Sequence, residues 1–178
     1  NEMEYDYVLM DYYDAVNDAM PDEFYSVDNP PCDKIAWEGS VLISEGEYEE
    51  AIKKLQSIPE TDERYTDAQL NVVACLSVIG EEEKSVETLK NLVEKKPESG
   101  AANLAYAAYF FDSSRLTESR YYADKADECG LEDEEDMFRL AFLLLSFGEE
   151  DKALKQLDDC LSISPYFLKA LILKGELF

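Results

Sequence analysis

Most side-chain catalysis near neutral pH runs through histidine, and this chain has none. Ser-His-acid and Cys-His nucleophilic arrangements are therefore absent. The cysteines are Cys32, Cys75, Cys129 and Cys160, and no two form a C-x-x-C pair. Without that spacing or a histidine, no tetrahedral zinc site is expected. Carboxylates are plentiful, with 41 Asp and Glu in 178 residues. Acid pairs then arise by chance, and none stands out as a general acid with its base. No G-x-S-x-G, G-x-x-x-x-G-K-[ST] or G-x-G-x-x-G occurs. The acidic run over 132–136 lacks the alternating ligands and the glycine of a calcium loop. Asp112-Ser113-Ser114-Arg115 reads as a turn rather than a reactive group. We therefore expect a protein that is not an enzyme and needs neither metal nor cofactor.

Charge narrows the partner. The formal net charge is −25, from 16 Lys and Arg against 41 Asp and Glu. Phosphate backbones and anionic lipid surfaces both call for clustered cations, so neither nucleic acid nor a membrane surface is expected. A neutral or basic protein segment is easier to accommodate. Much of the charge has a local reason. Glu47, Glu49 and Glu50, then residues 81–83, 132–136 and 149–151, each follow a turn and open a helix. Carboxylates there interact favourably with the helix dipole, by about 0.3–1 kcal/mol each. No stretch approaches the roughly 18 apolar residues of a membrane helix, so none is expected, and the first residues do not show the basic-then-apolar pattern that would suggest a signal peptide. Cys75 and Cys160 read as small core hydrophobes, and free thiols fit a reducing, cytoplasmic compartment.

The elements that position these groups repeat. Glycines stand at 46, 80 and 148, separated by one and then two steps of 34. Gly46 leads into EYEEAIKKL, Gly80 into EEEKSVETL and Gly148 into EEDKALKQL; the missing step lands on Ser114, before RLTESRYYA. A small residue precedes an apolar one by four positions in every block: Ala51/Leu55, Ser85/Leu89, Ser119/Ala123 and Ala153/Leu157. Pro97 and Pro165 close their blocks, whereas Pro59 comes early and predicts a shortened helix. A fixed period of this size means one supersecondary unit copied along the chain. The pattern over residues 32–178 resembles the tetratricopeptide repeat family. That resemblance implies an all-α, right-handed solenoid of antiparallel helix pairs. Its repeats would be 32–65, 66–99, 100–133 and 134–167, with a terminal helix over 168–178.

The spacing predicts helices over 33–45, 48–57, 66–79, 82–95, 100–112, 116–129, 134–147 and 150–162. Phe138, Phe142 and Leu145 form one stripe and Leu140, Leu144 and Phe147 another, so this helix has two apolar faces. Residues 1–31 break the period, with nine acids and no Lys or Arg. Tyr5, Val8, Leu9, Tyr12, Val16 and Met20 lie on one helical face before Pro21. That segment reads as a cap on the first repeat, as an occupant of the groove, or as a dimerising helix. The terminal helix presents Ile172, Leu173, Leu177 and Phe178 with few charges, which predicts an exposed apolar edge.

In the family this chain resembles, the first helix of each repeat lines a concave face that holds peptides. Carried onto this sequence, that face includes Asp67, Leu70, Asn71, Ala74, Leu104, Ala108, Phe111, Glu135, Phe138, Arg139, Phe142, Lys169 and Ile172. One branch of the family grips acidic chaperone tails with a clamp of Lys, Asn and Arg. Only Asn71 matches it in the first three repeats, although Arg139 and Lys169 could meet a carboxylate further along. The face is instead apolar, with Ala74, Ala101, Ala105 and Ala108 leaving room for a guest. The expectation is a non-catalytic adaptor or chaperone-like module binding an apolar or amphipathic partner segment. The alternative is an assembly or homodimerisation element acting through Leu177 and Phe178.

Overall fold

The computed structural model describes residues 31–177. The expected N-terminal helix, almost all of its linker, and Phe178 lie outside them. Among the described residues, helices follow one another: α1 (Cys32–Glu45), α2 (Tyr48–Leu55), α3 (Tyr65–Val78), α4 (Glu82–Lys95), α5 (Gly100–Asp112), α6 (Leu116–Cys129), α7 (Glu134–Ser146), α8 (Glu150–Ile163) and α9 (Leu168–Glu176). The first eight begin and end within two residues of their expected spans. The shortened helix is α2, followed by a turn-rich link that still buries Ile58.

Each helix packs on the next in the chain, most extensively within α1–α2, α3–α4, α5–α6 and α7–α8. First helices of successive pairs also touch, α3 with α5 and α5 with α7. This is an all-α helical-repeat solenoid, in which each unit contacts its neighbours and little else. Three apolar clusters run along it.

One turn recurs inside every pair. Gly46, Gly80 and Gly148 have φ of 81°, 83° and 77°. The amide after each glycine donates to a carbonyl five residues back: Glu47 to Leu42, Glu81 to Leu76 and Glu149 to Leu144, all at 2.9 Å. These bonds satisfy carbonyls that the helix end leaves unpaired. Ser114 makes the same turn at φ 60°, and Arg115 donates to the Phe110 carbonyl at 2.8 Å. The third repeat thus keeps the turn although it lost the glycine.

The small-residue position holds each pair together. Ala51, Ser85, Ser119 and Ala153 are all buried. In the middle two repeats the hydroxyl crosses to the first helix: Ser85 donates to the Val73 carbonyl at 2.9 Å and Ser119 to the Ala107 carbonyl at 2.8 Å. Donor and acceptor each shift by 34 residues between the repeats, so the period fixes a contact as well as a helix.

The start of α5 and the loop after α6 meet at a close approach. A Cβ on Gly100 would lie 1.8 Å from the carbonyl oxygen of Gly130. Only glycine lets the start of α5 sit this near the loop that leads into α7. Asn103 secures the same corner, its buried amide donating to the carbonyls of Pro97 at 3.0 Å and Ser99 at 2.8 Å.

Candidate functional site

The first helices α3, α5 and α7 enclose an apolar cleft of about 350 Å³. From α5 come Ala101, Leu104, Ala105, Ala108 and Phe111, one face of the helix at three-to-four spacing. Their small side chains create the space. Leu70 closes one side from α3, and Phe138, Phe142 and Leu143 close the other from α7. Phe142 is 53% exposed, so its ring is open to solvent on the cleft wall. Leu104 is only 3% exposed and belongs to the core beneath, so it is floor rather than free surface.

Of the residues expected on this face, Leu70, Leu104, Ala108, Phe111, Phe138, Arg139 and Phe142 line the cleft together. Asn71, Ala74, Lys169 and Ile172 do not. Ala74 is exposed on α3, and Ile172 on α9 beyond the end of the cleft. The two cations expected to meet a partner carboxylate each have one already. Lys169 lies 3.1 Å from Glu135, and Arg139 lies 3.6 Å from Asp136. Lys169 also sits 5.9 Å from the ring centres of Phe138 and Phe167.

Sequence reasoning missed Asp136, choosing Glu135 one position earlier. Helix rotation turns Glu135 toward Lys169 and Asp136 into the cleft. Burial and the neighbouring Asp133 hold the Asp136 carboxyl above the usual range, while Arg139 pulls the other way. Asp67 and Glu135 add smaller upward pushes.

A second, polar cavity adjoins the cleft and shares Ala101 and Asp136 with it. It is built where α3, α5 and α7 begin, around the Gly100–Gly130 approach. Six carboxylates line it: Glu63, Asp67, Glu98, Glu132, Asp133 and Asp136, and no Lys or Arg does. Asp133 has a structural duty, its carboxylate accepting the amides of Glu135 at 3.0 Å and Asp136 at 3.1 Å as the cap of α7. Among the described residues no group of three or more Asp, Glu or Cys side chains converges closely enough to hold a metal ion.

The terminal helix has an exposed apolar edge that includes Ile172, but Leu173 and Leu177 are not on it. Leu173 and Leu177 pack half-buried on the core formed with α7 and α8. The side chains of α9 that face outward are Leu168, Leu171 and Ile172, and Tyr166, in the turn before it, is 93% exposed. All four cysteines are free thiols, and Cys75 and Cys160 are buried as expected. No helix among the described residues is long and apolar enough to cross a membrane.

No protein-family model matches the chain, and no curated protein matches it. Solved structures do. PilF of Pseudomonas aeruginosa superposes with a TM-score of 0.58 at 16% identity, over 80% of this chain. The match spans 65% of the PilF chain. A thermophilic tetratricopeptide-repeat protein of Thermus thermophilus gives 0.59 at 16% identity, over 80% of this chain and 78% of its own. YrrB, described as a tetratricopeptide-repeat protein with an unusual peptide-binding site, gives 0.51 at 17% identity, over 77% and 71%.

Proposed function

From a chain that has the tetratricopeptide-repeat fold, we propose a non-catalytic interaction module that holds a segment of a partner protein in the α3–α5–α7 cleft. The carrying observation is the half-exposed Phe142 beside a row of alanines. Apolar surface left open where small residues make room is the pattern of a groove for an apolar or amphipathic segment. Peptide binding in YrrB, on the same fold, supports the reading. The paired states of Lys169 and Arg139 count against a clamp for acidic tails. An adaptor or chaperone-like role is the form this activity takes.

Panning a random peptide library against the purified chain tests the proposal. We expect sequences with clustered apolar residues, whose binding falls at least about tenfold in Phe142→Asp. Because Phe142 is largely exposed, that variant keeps the parent's helical circular dichroism. Binding that ignores Phe142→Asp contradicts the proposal. Leu104→Asp does not serve, because it puts a charge in the core.

The exposed side chains Tyr166, Leu168, Leu171 and Ile172 favour a second reading, assembly through the last helix. It predicts concentration-dependent association that Leu168→Asp abolishes.

A further inference from the structure

The apolar cleft does not end in neutral surface. It opens at Ala101 and Asp136 into the cavity lined by Glu63, Asp67, Glu98, Glu132, Asp133 and Asp136. Helix dipoles offset part of this charge. The starts of α3, α5 and α7 contribute about half a positive charge each, about 1.5 in all. Arg139 adds one more beside Asp136, and Arg64 answers Glu63, Asp62 and Asp33 together. A negative balance remains. Among the described residues no ion pair reaches Asp67, Glu98, Glu132 or Asp133. The carboxylates do not converge on a metal-sized point. Spread charge of this kind suits a long, flexible cation with several donors, as on Lys or Arg.

We propose that the occupant of the cleft is a basic amphipathic protein segment, its apolar side chains against Phe142 and Phe111 and a Lys or Arg in the adjoining cavity against Asp67 and Asp136. This rests on the groove reading above and adds the chemistry and register of the partner. Charge complementarity selects this occupant over the chain's own residues 1–30, which carry nine acids and no Lys or Arg. It also gives Asp136 a purpose. The carboxylate is kept half-buried beside Asp133 and Asp67, a costly placement that a partner cation would relieve.

Three synthetic helical peptides with the same leucine stripe test this on the full chain, their polar positions filled by Lys, Gln or Glu. Affinity is read by fluorescence anisotropy in about 0.15 M salt, where the reach of distant charges falls to about 8 Å. We expect the Lys peptide to bind at least about tenfold more tightly than the Gln peptide, and the Glu peptide most weakly. Asp67→Asn/Asp136→Asn should erase the Lys advantage over the Gln peptide. Glu82→Gln/Glu83→Gln, at the start of α4, removes the same charge away from the cavity and should change nothing. Phe142→Asp should weaken the Gln peptide, which reports the apolar contact alone. Alkylation of Cys129, an exposed thiol on the cavity wall, should slow when the Lys peptide is bound.

The outcomes separate the two claims. If Phe142→Asp weakens the Gln peptide but Lys and Gln peptides bind equally, the groove stands and the cation site is overturned. If the Lys advantage falls equally with the Glu82/Glu83 variant, it reflects overall charge and the cation site is again overturned. If Phe142→Asp leaves the Gln peptide unaffected, the groove reading itself fails. A synthetic peptide of residues 1–30 that displaces the Lys peptide at equal concentration overturns the choice of occupant in favour of the chain's own segment.

Discussion

Asp136 shows how a single side chain couples stability to the groove. Its folded carboxyl is held above the usual range, first by burial and then by Asp133. As pH rises through the ordinary carboxylate range, the unfolded chain releases this proton before the folded one does. The group's contribution to stability is therefore present at low pH and lost as pH rises through the folded value. Asp136→Asn should raise the thermal midpoint at neutral pH, and the gain should shrink as pH falls toward about 4. Calorimetry on both proteins across that range measures it. Asp67, Asp133, Glu135 and Arg139 face the same carboxyl, so the comparison must keep them intact. Phe142 and Leu104 give the complementary lesson. Both were legible as first-helix residues of the concave face, Leu104 on α5 and Phe142 on α7, yet Phe142 is half-exposed and Leu104 sealed. Periodicity assigns a side chain to a face, but only the neighbouring helix decides whether that face is covered.

At the scale of elements, the repeat period carried nearly everything. It placed the helices, the four turns and the position occupied by Ala51, Ser85, Ser119 and Ala153. It could locate the degenerate turn at Ser114 but not show that the left-handed backbone survives there. For a non-glycine residue that conformation costs roughly 1–2 kcal/mol, against about 0.5–1 kcal/mol of extra backbone freedom that glycine loses. Ser114→Gly should therefore stabilise the chain by up to about 1 kcal/mol, read from the urea midpoint with an unchanged slope. The terminal helix was less legible. A helix A pattern without its partner gives no sign of which stripe meets α8, and Leu173 and Leu177 turned inward while Leu168 and Leu171 turned out. The acidic cavity was hidden for another reason. Its walls come from four stretches of chain, near 63–67, 98–101, 129–133 and 136, that only the stacking of repeats brings together.

For the whole molecule, composition and stacking point the same way. A solenoid spreads its surface along a line, and here the first helices leave an apolar cleft with an acidic end. The net charge of −25 is partly local helix chemistry, and partly gathered in one cavity without a lining cation. The outward apolar edge of α9 is a separate surface. If it drives assembly, light scattering should show mass rising with concentration in the parent and constant in Leu168→Asp, with peptide binding equal in both. The most direct test of the central claim is an amide chemical-shift titration of the labelled chain with its best library peptide. The account predicts that shifts concentrate on α3, α5 and α7, around Leu70, Ala105, Ala108, Asp136 and Phe142, and vanish in Phe142→Asp. Shifts confined to α9 or to the second helices α4, α6 and α8 would contradict it.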